Sequence, residues 1–402
     1  MPARRVPPLL ALAIAAALAG CGRGGGESLR VYVTRFTMPY GTGAVVVYDA
    51  PSLRLRGELP ANEVATRLAL APDGRTLWVS GEASRDLLLV DTSADTLMRR
   101  VPLGLPAAGG AFDASGGRFL VAHGAVVVGR EARPLATLVD ATAARVVASI
   151  EVGEDPRSVC LDPGGRLAYV ANTGDGTISV VDLALETAVR TVPSGDGVHL
   201  LAADPRGRWL YAACLGRAPD TRAAVGSGQA AGDTRAAVGS GQAAGGPQAA
   251  PGDSAPTGAA EETVGRTNAA RRGEGELIVY SLPELEVLLR LAPGGHPSHV
   301  ATTPDGALLV LSELNEDPAR AAHLRLYRVA DGPALELWKD IEFGGNTPFG
   351  DVDPDGRWFA AADLAEDALL LVDLESGELV RRQTLVGAGP SRYFFDVAFV
   401  RP

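Results

Sequence analysis

Residues 166–182, RLAYVANTGDGTISVVD, set the frame, because every other ordered stretch of the chain reads as a variant of them. Two short apolar runs, 167–171 and 178–181, are rich in β-branched and aromatic residues, and Asn172-Thr173-Gly174-Asp175-Gly176 between them is turn chemistry. That is a β-hairpin, and it recurs. Its second strand ends in a branched or aromatic pair and a polar residue at Val47-Tyr48-Asp49, Leu89-Val90-Asp91, Leu138-Val139-Asp140, Val180-Val181-Asp182, Val279-Tyr280-Ser281, Leu326-Tyr327-Arg328 and Leu371-Val372-Asp373. The polar residues are 42, 49, 42, 99, 47 and 45 apart, and removing the 58 residues of 217–274 from the one long interval leaves 41.

The first strand of the hairpin repeats as faithfully, at 31–34, 77–80, 119–122, 168–171, 210–213, 308–311 and 358–361. Six of these follow a tight turn: Pro72-Asp73-Gly74, Asp113-Ala114-Ser115-Gly116, Asp162-Pro163-Gly164-Gly165, Asp204-Pro205-Arg206-Gly207, Pro304-Asp305-Gly306 and Pro354-Asp355-Gly356. Proline presets φ there and glycine accepts a positive one. The first copy has no turn and no strand before it. Its missing partner is found at the other end of the chain, where residues 390–399 follow Gly389 as the other leading strands follow their Gly-x-x-Pro lead-ins. Four strands per unit and a period of 40 to 50 residues predict an all-β, seven-bladed β-propeller, closed by the C-terminal strand pairing into the first blade. Such closure removes the exposed edges that an open ring would leave.

Tyr169-Val170-Ala171-Asn172, followed by Asp175-Gly176-Thr177-Ile178-Ser179-Val180-Val181-Asp182, resembles the YVTN repeat of bacterial and archaeal β-propellers, and Pro72-Asp73-Gly74-Arg75 is similar to that family's turn. The resemblance covers nearly all of 29–400 except the insertion. Trp78-Val79-Ser80-Gly81 and Phe359-Ala360-Ala361-Ala362 depart from the motif. What it implies is a scaffold rather than an activity. Members include secreted and surface proteins, and related propellers serve as haem d1 or quinone-cofactor enzymes. No Cys-x-x-Cys-His is present to attach a c-type haem, and no cofactor is expected.

At the N-terminus, Arg4 and Arg5 precede an apolar run over 6–19, too short to span a bilayer. It stops at Leu18-Ala19-Gly20-Cys21, which resembles the lipobox of bacterial lipoproteins. By that resemblance residues 1–20 are a signal peptide, Cys21 is acylated, and 21–28 tether a body formed by 29–402 to a membrane. Gly22 is not the aspartate that retains some lipoproteins at the inner membrane, so the outer membrane is the expected address, facing the periplasm or the cell surface. Without residues 1–20, 35 basic residues face 48 acidic ones, a charge of −13. A surface that acidic repels phosphate backbones and makes nucleic acid a poor partner. Cys160 and Cys214 lie in apolar strands and read as buried thiols rather than a disulfide.

Residues 217–274 contain two identical copies of DTRAAVGSGQAAG and no Leu, Ile, Phe, Tyr or Trp, so they offer nothing to bury and are expected to be disordered. They fall between the second and third strands of the fifth blade. The connections on that face surround the channel mouth, and aligning the inner strands on their turns places Arg67, Arg157, His199, His299 and Arg392 at the start of successive inner strands. These five are the candidate ligand-binding residues, an electropositive ring suited to a carboxylate or phosphate. The competing reading pairs them with Glu313, Glu316, Asp317, Asp363, Glu366 and Asp367. His296 and His299 are three apart on an extended segment and point apart, so no metal site is expected, although His199 and His299 could converge from different blades. His123 and His323 read as structural residues of loop edges, and the Asp closing the third strands as a turn cap. No Gly-x-Ser-x-Gly, Walker loop, His-Glu-x-x-His or calcium loop occurs. Two functions remain: a membrane-anchored monomeric binding module for an envelope protein or small anion, and a propeller enzyme, nearest to a lactonase-like hydrolase, with its site at the channel mouth.

Overall fold

The computed structural model describes residues 29–37, 43–61, 64–124, 133–216, 273–314, 321–343, 349–363, 366–385 and 392–401. All regular structure among them is β-strand. In chain order the strands are β1 (Arg30–Thr37), β2 (Ala44–Asp49) and β3 (Arg54–Pro60); β4 (Ala65–Leu70), β5 (Thr76–Gly81), β6 (Asp86–Asp91) and β7 (Thr96–Pro102); β8 (Gly110–Phe112), β9 (Arg118–Ala122), β10 (Leu135–Asp140) and β11 (Arg145–Glu151); β12 (Pro156–Leu161), β13 (Leu167–Asn172), β14 (Thr177–Asp182) and β15 (Thr187–Pro193). They continue as β16 (Val198–Ala203), β17 (Trp209–Cys214), β18 (Glu276–Ser281) and β19 (Val287–Leu291); β20 (His296–Thr302), β21 (Leu308–Leu314), β22 (Ala322–Val329) and β23 (Leu335–Phe343); β24 (Gly350–Val352), β25 (Trp358–Asp363), β26 (Ala368–Asp373) and β27 (Glu378–Thr384); and last β28 (Arg392–Val400). They form seven four-stranded antiparallel sheets. Six are consecutive in sequence, and the first is β28-β1-β2-β3, so the C-terminal strand completes the N-terminal blade.

Packing explains why the middle strands are continuously apolar instead of alternating. Each sheet is buried on both faces, and one apolar layer lies between every pair of neighbouring blades. The layer between the first and second blades joins Tyr32, Val45 and Val47 to Ala65, Leu77, Val79 and Leu88, with Ala398 and Val400 of β28 packed into it. The outermost strands are the most exposed to water, and their apolar residues are exposed at Leu55, Met98, Val147, Val189 and Val380. Cys160 and Cys214 sit in these layers as free thiols, each pushed up to about 12 by burial.

The repeated polar residues act locally. Asp91, Asp140, Asp182 and Asp373 accept backbone N–H groups two or three residues on and cap the turn to the outer strand. The six turns leading into the second strands each place their last glycine at positive φ, between 66° and 72°. These turns nest around the axis: a Cβ on Gly116 or on Gly356 would meet the proline of the preceding blade's turn, Pro72 or Pro304, at 3.2 Å. A Cβ on Gly74 would meet the carbonyl of Arg401 at the same distance, beside the pairing of β28 with β1.

Inner strands carry a cost of their own, since the edge facing the channel has no neighbouring strand for its amides. Side chains from the adjacent blade take that place. Asp396 of β28 accepts the Leu68 N–H of β4 at 2.8 Å, Asp351 of β24 accepts the Phe399 N–H of β28 at 2.8 Å, and Ser158 of β12 accepts the Leu201 N–H of β16 at 3.3 Å. Burial pushes Asp351 up to about 7 and Asp396 up to about 6, against backbone hydrogen bonds that pull both down. A carboxyl whose folded value is raised contributes stability that is fully present below the ordinary carboxylate range and is lost as pH rises through the folded value. Unfolding free energy is therefore expected to fall as pH rises from 5 to 8, and Asp351→Asn to flatten that fall; urea titrations at four pH values check it, and an unchanged slope in the variant would sink the assignment.

Candidate functional site

The seven inner strands β28, β4, β8, β12, β16, β20 and β24 neighbour one another in a closed ring. A bulge near the start of most of them skips one residue in the pairing with the next strand. Arg157 and His199 are themselves the skipped residues of β12 and β16, whereas Arg67 and His299 come one place after the skipped Thr66 and Ser298. Arg392 opens β28, paired with Thr37, and its side chain is outside the described residues. The five candidates thus stand at different heights. At the level of Arg67 and His299, the other blades carry Asp396, Gly109, Ser158, Leu200 and Phe349.

Phe349, just ahead of β24, fills the axis. It packs with Phe36, Val64 and Phe395 in a buried cluster separate from the seven layers between blades. The Arg67 guanidinium lies over its ring, 3.3 Å from the centroid, a cation–π contact in a desolvated setting. The His199 and His299 rings lie 5.8 and 6.1 Å from the same ring, centroid to centroid. The structure therefore brings Arg67, His199 and His299 together around one phenyl ring. Arg157 is diverted: its Nη2 is 2.6 Å from Asp155 in its own blade.

Polar demand at this site is incompletely met. Arg67 is 7% exposed, and among the described residues its Nη2 has no hydrogen-bond partner. Burial pulls the guanidinium down to about 10, opposed by the charges of Asp396 and Glu82. His299 is 7% exposed, with neither ring nitrogen partnered among the described residues, and burial together with the Arg67 charge pushes it down to about 3. It is a neutral imidazole across the physiological range, able to donate from one nitrogen and accept at the other. Three of the acids suggested by sequence form ion pairs within their own blades. Glu313 pairs with Arg325, and Asp363 and Glu366 both face Arg382, each within its own blade, while Glu316 and Asp317 are outside the described residues.

The remaining histidines are committed elsewhere. His123 bridges the Pro106 carbonyl and Thr137 at 2.7 Å each, His296 contacts the Leu215 carbonyl at 2.9 Å, and His323 pairs with Asp340 at 2.7 Å. Among the described residues no three His, Cys, Asp or Glu side chains gather as a metal site would require.

Sequence reasoning passed over Phe349 and Asp396. A signal for the first was present: Phe349 stands five residues before Pro354, as Arg67 does before Pro72 and His299 before Pro304. The same count from Pro163 and Pro205 gives Ser158 and Leu200 rather than Arg157 and His199. Asp396 had no such signal, because β28 is not followed by a turn.

No protein-family model matches the chain, and no curated protein matches it. Among solved structures it is similar to hydrazine synthase of Kuenenia stuttgartiensis, at 16% identity over 84% of this chain and 96% of the other, with a TM-score of 0.59. It is also similar to a functionally unknown protein from Desulfotomaculum acetoxidans, at 10% identity over 93% of this chain and 99% of the other, with a TM-score of 0.63. At these identities the likeness is one of fold, and that fold is the β-propeller.

Proposed function

We propose that this chain is a lipid-anchored propeller of the cell envelope, of the YVTN-repeat kind, whose work is binding. Its ligand is a small oxyanion, a carboxylate or phosphate, held at the axis beside Phe349. The observation that carries this reading is the placement of Arg67 and His299 against one aromatic ring: a buried cation with one donor and a buried neutral imidazole with two nitrogens that have no hydrogen-bond partner among the described residues. An oxyanion would use the guanidinium donor and one imidazole N–H, and charge-assisted bonds of that type are the strong ones. Phe349, just ahead of β24, places this site toward the face that bears the links from blade to blade.

The hydrolase reading has a narrower basis. His299, held at about 3, is a poor proton carrier at neutral pH, and the better-tuned Asp396 already accepts the backbone amides of Leu68 and Val397. Anchoring is supported by Leu18-Ala19-Gly20-Cys21.

Thermal unfolding of the exported protein with acetate, citrate or phosphate tests the site. Ligand at a hundred times its dissociation constant adds about 2.7 kcal/mol. Arg67→Met should abolish the shift and Arg157→Ala should leave it; no shift with any anion, or one that survives Arg67→Met, would overturn the site. Metabolic labelling with palmitate tests the anchor, with the label expected on the wild type and missing from Cys21→Ser.

A further inference from the structure

The neighbours of Phe349 come from four other blades. It stands ahead of β24, the inner strand of the last blade, and its ring meets Arg67 of β4, His199 of β16, His299 of β20 and Phe395 of β28. One side chain therefore crosses the ring of inner strands. At the same level the other blades carry nothing comparable in apolar bulk except Leu200.

The phenyl ring is fixed where it lies. It is 1% exposed, the Arg67 guanidinium covers one face at 3.3 Å, and Phe395 packs against it at 4.8 Å. Phe395 is backed by Phe36, which in turn stacks on Tyr393 at 5.6 Å. Swinging the ring aside would give up the cation–π contact and expose a phenyl group to water. It is a wall of the site.

From this we infer that Phe349 determines the specificity of the axial site, restricting it to oxyanions of a few atoms, of the size of formate or acetate, and excluding aryl carboxylates. The inference deepens the binding reading given above and rests on it. Arg67 Nη2 and both nitrogens of His299 lack a hydrogen-bond partner among the described residues, and both side chains touch the same ring. An anion joining the guanidinium to the imidazole must lie along the edge of that ring, because the face toward Arg67 is occupied. The ring's quadrupole favours that place, since its edge carries positive partial charge and its face negative. Whatever is bonded to the carboxyl carbon then has to fit in the part of the axis that Phe349 leaves. A hydrogen or a methyl group asks little of that space. An aryl group asks for the volume the Phe349 ring already holds, and a well-packed interior does not yield it cheaply. Removing the ring would leave an apolar cavity of the kind that a benzene-sized group refills.

The test is calorimetric titration of the exported protein with formate, acetate and benzoate, in the wild type, Phe349→Ala and Phe349→Leu. The wild type is expected to bind acetate at least about tenfold more tightly than benzoate, and Phe349→Ala to lose or invert that preference by gaining affinity for benzoate. Phe349→Leu, which keeps the axis apolar and partly filled, should narrow the ratio and serves if the alanine variant does not fold. A merely structural role for Phe349 would lower the unfolding temperature of the variants and leave the ratio where it was. A wild type that binds benzoate as tightly as acetate, or a folded variant that keeps the wild-type ratio, would overturn the inference while leaving the anion site in place. A wild type that binds none of the three would overturn the site, and the inference with it.

Discussion

The ring depends on pairing β28 with β1. Without it the first blade would hold three strands, its inner edge would be bare, and the apolar layers on either side would lose Phe394, Val397 and Phe399 on one side and Ala398 and Val400 on the other. Residues at opposite ends of the sequence are thereby made neighbours, and loop-closure entropy for the whole chain is committed in one contact. Asp351 and Asp396 reinforce the same seam by spanning from β24 to β28 and from β28 to β4. Burying two carboxyl groups there has a cost in desolvation, offset by amides that would otherwise have no acceptor.

Much of this architecture was legible because it is periodic. The six turns, their glycines at positive φ, and the aspartates capping the third strands each report a local conformation that repeats with the blade. The C-terminal strand was legible by subtraction, since six turns had to serve seven hairpins. The axial site was less so. Arg67 and His299 were recognised, and the structure places them around one ring. Arg157 and His199 looked equivalent to them in sequence, but both are the residues skipped by a bulge, which leaves no mark in composition; Arg157 turns to Asp155, and His199 reaches the same ring from one position earlier. Phe349 was missed for a different reason. Just ahead of a short inner strand and among glycines it resembles a loop residue, and nothing about an isolated phenylalanine says that it reaches the axis.

Electrostatics at the axis follow from that ring. Phe349 excludes water from Arg67 and His299, and low polarity acts on the two in the same sense: each is pushed toward its neutral form. The outcomes differ because the starting values differ. Arginine remains charged and needs the nearby carboxylates of Asp396 and Glu82, while histidine loses its proton and becomes a neutral hydrogen-bonding group. A protein with a strongly acidic surface thus holds one buried cation whose field is not cancelled by a direct ion pair among the described residues.

The two faces of the ring are under unequal constraint, which separates support from recognition. On the face that bears the turns into the second strands, Gly116, Gly165, Gly207, Gly306 and Gly356 lie against the turn of the preceding blade, so an added side chain at Gly116 or Gly356 forces a neighbour to move. Connections on the other face need only join strands whose positions are already fixed by the layers between blades. Length is cheap there, because closure entropy grows only logarithmically. The 58 residues of 217–274 fall in such a connection, between β17 and β18, and the strands on either side keep their pairing from Trp209 with Ser281 to Cys214 with Glu276. The face able to accept insertions is also the one toward which Phe349 lies, just ahead of β24, so sequence change there leaves the closure between β28 and β1 undisturbed.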